Sequence, residues 1–86
     1  MAVEFTPSAD RHGIPRADAI HAMLNAEGVQ PVAGRPGRPA AVYVGRPHPQ
    51  TDRRIEVIAW TEPPATVVIF HVMEVSDLYR HLIRED

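Results

Sequence analysis

His71 is the one ionisable side chain inside the most apolar run of the chain, Thr66-Val67-Val68-Ile69-Phe70-His71-Val72-Met73. An imidazole changes charge near neutral pH, so it can move a proton in a reaction. It can equally stand in a core as a hydrogen-bonded structural group. Both readings of His71 are open. The preceding apolar segment, Arg54-Ile55-Glu56-Val57-Ile58-Ala59-Trp60, carries a cation, a carboxylate and an indole at alternating positions. In a strand these share one face, where Arg54 and Glu56 can address a ligand or pair as surface ions. All nine cations are arginine, and Arg35, Arg38, Arg46, Arg53 and Arg54 fall between Pro31 and Arg54 against the single acid Asp52. Glu74, Asp77, Glu85 and Asp86 make the tail mildly acidic against Arg80 and Arg84. A basic middle can attract an anion although the net charge is −2. None of His12, His21, His48, His71 and His81 forms a helical i, i+3 or i, i+4 pair, and cysteine is absent. Neither a metal site nor a cofactor is expected.

These groups need elements to hold them. Thr6-Pro7 is a helix start and Gly13 its stop, giving a short helix over Ser8–His12. Pro15 opens a second helix with an Ile20, Met23, Leu24 stripe, closed by Gly28. Val29–Val32 reads as an edge strand because Pro31 cannot donate to a ladder. Gly34–Pro39 is loop, Ala41–Gly45 a strand, and Arg46–Asp52 turn material. Arg54–Thr61 is the returning strand, and Glu62-Pro63-Pro64 turns into Thr66–Met73. Val75, Leu78, Tyr79, Leu82 and Ile83 form a last helical stripe, with Ser76 as N-cap.

The expected fold is α+β: one domain over residues 1–86, with a small antiparallel sheet of three to four strands, two N-terminal helices and one C-terminal helix on one face. Strict alternation places Ile55, Val57, Ala59, Val68, Phe70 and Val72 under the helices. Arg54, Glu56, Trp60, His71 and Met73 then share the second face, a mixture of charge and apolar bulk that suits binding. Eighty-six residues bury only roughly 60–65% of their unfolded surface, so the core is thin. No signal segment and no apolar run near the ~20 residues of a membrane span appears. The expectation is a cytoplasmic protein without membrane contact.

Several strings carry a family likeness. Arg11-His12-Gly13-Ile14 before an amphipathic helix, Tyr43-Val44-Gly45-Arg46 at a strand end, and Arg54–Trp60 as the next strand resemble BrnT-like toxins of bacterial type II toxin–antitoxin systems. The likeness extends from about Phe5 to Leu82. The family's last strand ends in Ile-Ser-Ala-Arg, and here His71 and Met73 stand in place of its serine and arginine. The resemblance implies a RelE-like fold, a ribonuclease that inhibits translation, and a tight complex with a cognate antitoxin.

In RNA cleavage of this kind the 2′-hydroxyl attacks the neighbouring phosphorus, aided by a base, an acid and cations. On that reading His71 is acid or base, Glu56 its proton-transfer partner, and Arg54 and Arg46 hold the scissile phosphate. Arg35, Arg38 and Arg53 track the backbone, while Trp60 or Tyr43 stacks on an unpaired base. His12, beside Gly13, is expected to hydrogen-bond the helix end rather than react. The expected partners are RNA, with or without the ribosome, and an antitoxin over the second sheet face. The alternative is a non-catalytic binding module or degenerate toxin on the same fold, as a homo- or hetero-oligomer.

Overall fold

A computed structural model of the protein describes residues 1–84, so Glu85 and Asp86 of the acidic tail lie outside the described residues. Strand β1 (Ala2–Phe5) leads through a 3-10 turn (Pro7–Asp10) into one helix, α1 (Arg16–Leu24). Four strands follow: β2 (Gly28–Arg35), β3 (Arg38–Gly45), β4 (Ile55–Glu62) and β5 (Thr66–Glu74). A second 3-10 turn spans Arg80–Leu82. The five strands form one sheet in the order β1-β5-β4-β3-β2, with β1 parallel to β5 and the other pairs antiparallel. No helix among the described residues is long and apolar enough to cross a membrane.

The α+β class holds, but the expected element set does not. A fifth strand at Ala2–Phe5 makes the sheet mixed rather than antiparallel, half-burying Val3 and Phe5 against the core. Four residues are too few for alternation to stand out in a sequence. The first expected helix is only the 3-10 turn, because the chain must run along the β5 edge. Thr6 N–H continues the β1 ladder to Ile69 O at 3.0 Å, and the Ser8 hydroxyl donates to Phe70 O at 2.7 Å.

The expected C-terminal helix is also absent. Its stripe finds no common partner, since Leu78 is 74% exposed. The segment instead crosses the second sheet face, tied by tertiary hydrogen bonds. Ser76 N–H reaches the Glu56 carboxylate, His81 pairs with Gln30, and Arg84 N–H reaches Glu27. Gly28 makes room for it, because a Cβ there would stand 2.5 Å from the Leu82 carbonyl oxygen. The helical layer is therefore α1 alone, and the tail covers only the end of the opposite face around Glu56, Gln30 and Gly28.

On the α1 face, Ala19, Ala22 and Met23 pack on Ile55, Val57, Ala59, Ile69 and Val72, with Ile20 alongside. Leu24, part of the expected stripe, is exposed. The two alanines let the helix approach closely: a Cβ on Gly45 would meet the Ala22 carbonyl oxygen at 2.6 Å. On the other face Ala40, Val42, Val44 and Val68 are buried.

The two faces exchange residues at a bulge in β5. Ile58 pairs with His71 but Ala59 pairs with Ile69, leaving Phe70 as an extra residue. Val67 and Ile69 therefore turn to the α1 core, while Val68 and Phe70 turn to the second face with His71 and Met73. Alternation without a bulge had placed Val68 and Phe70 under the helices.

Candidate active site around Glu56 and His71

Glu56 stands mid-sheet on β4 and is 3% exposed, the buried carboxylate of the domain among the described residues. A carboxylate is costly there unless both oxygens are hydrogen-bonded. Ser76 N–H donates to Oε1 at 2.7 Å, and His71 Nε2 lies 2.8 Å from Oε2. An ionised carboxylate only accepts, so His71 carries its proton on Nε2. In the neutral ring the lone pair then sits on Nδ1, which has no partner among the described residues. The His71 side chain is 31% exposed, so this nitrogen can be reached by a ligand. Regular pairing of Ile58 with His71 and of Glu56 with Met73 keeps the ring on the face of Glu56, and the bulge brings Phe70 onto that face beside it.

His12 completes the group. Its ring lies edge-on to His71 with centroids 6.2 Å apart and planes at 75°. The parallel β1 ladder and the Ser8–Phe70 bond lead the turn along β5, and Gly13 at φ +70° ends it beside His71. His12 is exposed, with no hydrogen bond to the helix end among the described residues. The Arg11-His12-Gly13-Ile14 string was the available signal for it, and assigning His12 to a helix terminus missed its proximity to His71.

Beyond β1 the edge of β5 opens into a cleft of about 530 Å³, lined by His12, Gly13, Ile14, Pro15, Arg53, Met73 and Glu74. Arg53 Nε donates to Glu74 at 2.8 Å. That hydrogen bond raises the already high pKa of the guanidinium and fixes its plane. Its remaining N–H groups have no partner among the described residues and can meet an anion in the cleft. Arg11, next to His12, is exposed and has no carboxylate in ion-pair range among the described residues.

The other expected site residues lie elsewhere. Arg54 does not join Glu56 and His71. Its Nε bonds Glu27 at 2.6 Å and NH1 bonds the Asp52 carbonyl, with side-chain exposures of only 13% and 17% for the Arg54–Glu27 pair. Arg46 stands with it, lining a separate cavity of about 270 Å³ together with His21, Asn25, Glu27 and Arg84. The Arg46 carbonyl is 3.0 Å from His21 Nδ1, and its guanidinium is 3.6 Å from Asp52. Tyr43 packs against the α1 core, on the face opposite Trp60. Trp60 lies on the second face with Arg35 and Arg38 around a groove of its own. The sheet thus brings together His71 and Glu56, adds His12 and Arg53, and separates Arg54, Arg46 and Tyr43 from them.

Among the described residues, no three His, Asp or Glu side chains converge on a common metal position. No family model, curated protein or solved structure matches this chain.

Proposed function

We propose that the protein is an endoribonuclease in which His71 is the general base, His12 the general acid and Glu56 the group that positions His71. The observation that carries this reading is the hydrogen bond between buried Glu56 and half-buried His71, with a second imidazole 6.2 Å from the first. His71 Nδ1 takes the 2′-hydroxyl proton as that oxygen bonds the adjacent phosphorus. Glu56 steadies the imidazolium that forms. The P–O5′ bond breaks, and protonated His12 gives its proton to the departing 5′ oxygen. Products are a 2′,3′-cyclic phosphate and a 5′-hydroxyl, so atoms and charges balance. Arg53 and Arg11 face the negative charge that develops on the phosphorane.

The resemblance of short strings to BrnT-like toxins is what suggests RNA as the substrate, although the element set that this resemblance implied is not the one the fold has. The same likeness motivates a toxin role, inhibiting translation until a cognate antitoxin covers the site. A non-catalytic module is the competing reading. The observation in its favour is that Arg38, Arg46, Arg53 and Arg54 each carry a carboxylate in ion-pair range, which weakens the field a polyanion meets.

Purified protein and its His71→Gln variant, incubated with single-stranded RNA and with ribosome-bound message in the presence of a chelator, separate the two. The ribonuclease reading expects cyclic-phosphate ends from the wild type and none from the variant. Intact RNA throughout, or cleavage that His71→Gln does not reduce, favours the binding module.

A further inference from the structure

The β2–β3 hairpin and the outer end of β4 enclose a groove of about 410 Å³ that the proposed reaction does not use. This volume falls in the range of small-ligand sites, roughly 300–1,000 Å³. Its floor is Trp60 and Phe70, ring centroids 5.0 Å apart and planes tilted by 34°. Trp60 Nε1–H donates to Glu62 at 2.9 Å, which fixes the indole plane. Ala33 and Gly34 line the groove and are too short to cover the rings. Gly34 has to stay bare, since a Cβ there would stand 2.5 Å from the Arg38 carbonyl oxygen. Arg35 and Arg38 form a cationic rim. Arg38 lies 3.6 Å from Glu62, and Arg35 has no carboxylate in ion-pair range among the described residues.

We infer that this groove takes an unpaired base of a single-stranded nucleic acid, stacked on Trp60 and Phe70, with its flanking phosphates on Arg35 and Arg38. The inference rests on the ribonuclease reading for its substrate class. Flat aromatic surface with cations at its edge is the combination that single strands need, because every base has a π-face and every linkage a charge. An apolar peptide side chain would cover the rings but leave Arg35 without an anion. A duplex keeps its base faces stacked and cannot present one to a recessed floor. The bulge turns Phe70 and His71 to the same face, so a strand seated in the groove continues onto the His71 ring.

Trp60 is the sole tryptophan, so its fluorescence reports on the groove directly. The full chain is titrated with an oligothymidylate about ten nucleotides long, a length that spans a typical single-strand site. Lacking a 2′-hydroxyl, this probe cannot be cleaved by the proposed route. Saturable quenching is expected, absent with a mixed-sequence duplex and with inorganic polyphosphate. Phe70→Ala weakens the affinity roughly 5- to 100-fold. Arg35→Glu, on the exposed hairpin, weakens it and flattens its salt dependence while leaving the circular dichroism spectrum unchanged. Equal quenching by polyphosphate would overturn base stacking in favour of anion binding alone. No Trp60 response would overturn the groove as a nucleic-acid site and is the result a protein-docking groove gives. RNA cleavage without a Trp60 response sinks the groove and spares the reaction; a Trp60 response without cleavage does the reverse.

Discussion

Replacing Glu56 by Gln tests the site with the smallest change in shape. The amide carbonyl can still accept from Ser76 N–H, which donates to Oε1 at 2.7 Å. The amide nitrogen then takes the place of Oε2 opposite His71 Nε2, now 2.8 Å away. Two donors cannot share that contact, so the imidazole must move its proton to Nδ1, turning the lone pair inward and leaving no base facing the ligand. Folding exchanges two hydrogen bonds to a charged acceptor for two neutral ones inside the sheet, which costs about 2 kcal/mol. For a domain of this size that corresponds to a Tm lowered by roughly 8–16 °C. Turnover loses the general base, a fall of roughly 10²–10⁴ in kcat. Thermal unfolding, single-turnover RNA cleavage below the variant's Tm, and long-range proton–nitrogen NMR spectra of His71 read the three effects separately. A variant that loses stability yet turns over like the wild type would refute the role of Glu56 and reduce the pair to a structural bond. Unchanged His71 nitrogen shifts would refute the tautomer on which the mechanism depends.

His12→Ala removes the proposed acid from an exposed turn; cleavage is expected to fall by roughly 10²-fold or more with one limb of its pH–rate profile lost, while Tm stays within a few degrees. Arg54→Ala should behave in the opposite way. It frees the largely buried Glu27 carboxylate and costs about 2–4 kcal/mol in denaturant melts, while cleavage per folded molecule stays near wild type. The Asp10–Arg16 pair gives a pH signature: the hydrogen bond from Arg16 holds the Asp10 carboxyl below the ordinary aspartate range. A group with a depressed folded-state pKa stabilises above its unfolded pKa and loses that contribution as pH falls through the folded value. The stability difference between wild type and Asp10→Asn, measured by denaturant melts along a pH series, should therefore be present at neutral pH and vanish under strong acid. Gly45→Ala drives a methyl group against the Ala22 carbonyl oxygen and should cost about 1–3 kcal/mol by lifting α1 from the sheet, seen as a lowered unfolding midpoint.

The cores of β3, β4 and β5 were legible because each is a bounded run of apolar residues longer than a turn, and Glu56, Trp60 and His71 do share a face. What alternation could not supply was the extra residue at Phe70. A bulge adds no unusual residue type, and the carbonyl of its extra residue is met by the Ser8 hydroxyl, far off in sequence. The C-terminal stripe of Val75, Leu78 and Leu82 has helical spacing, yet spacing holds a helix only where a flat apolar surface receives it. Here the waiting partners were polar groups, Glu56, Gln30 and Glu27, and the tail unwound to meet them. Arg54 and Glu56 were expected to act together because they alternate on one strand. Arg54 lies just before Ile55, where β4 begins, free of the pleat, and turns to Glu27 instead.

The parallel pairing of β1 with β5 has a consequence during synthesis. His12 and His71 are carried by opposite ends of the described chain, and the strand that joins them is the fifth to be made. A nascent chain that has not yet exposed β5 holds only one of the two proposed imidazoles and leaves Glu56 without His71, so the proposed centre for cutting RNA is not yet assembled. Closing this contact is also the slowest kind of strand pairing, since the loop entropy of all the intervening residues is lost before the contact forms. For a protein whose proposed substrate is RNA, the topology itself delays activity until the domain is assembled.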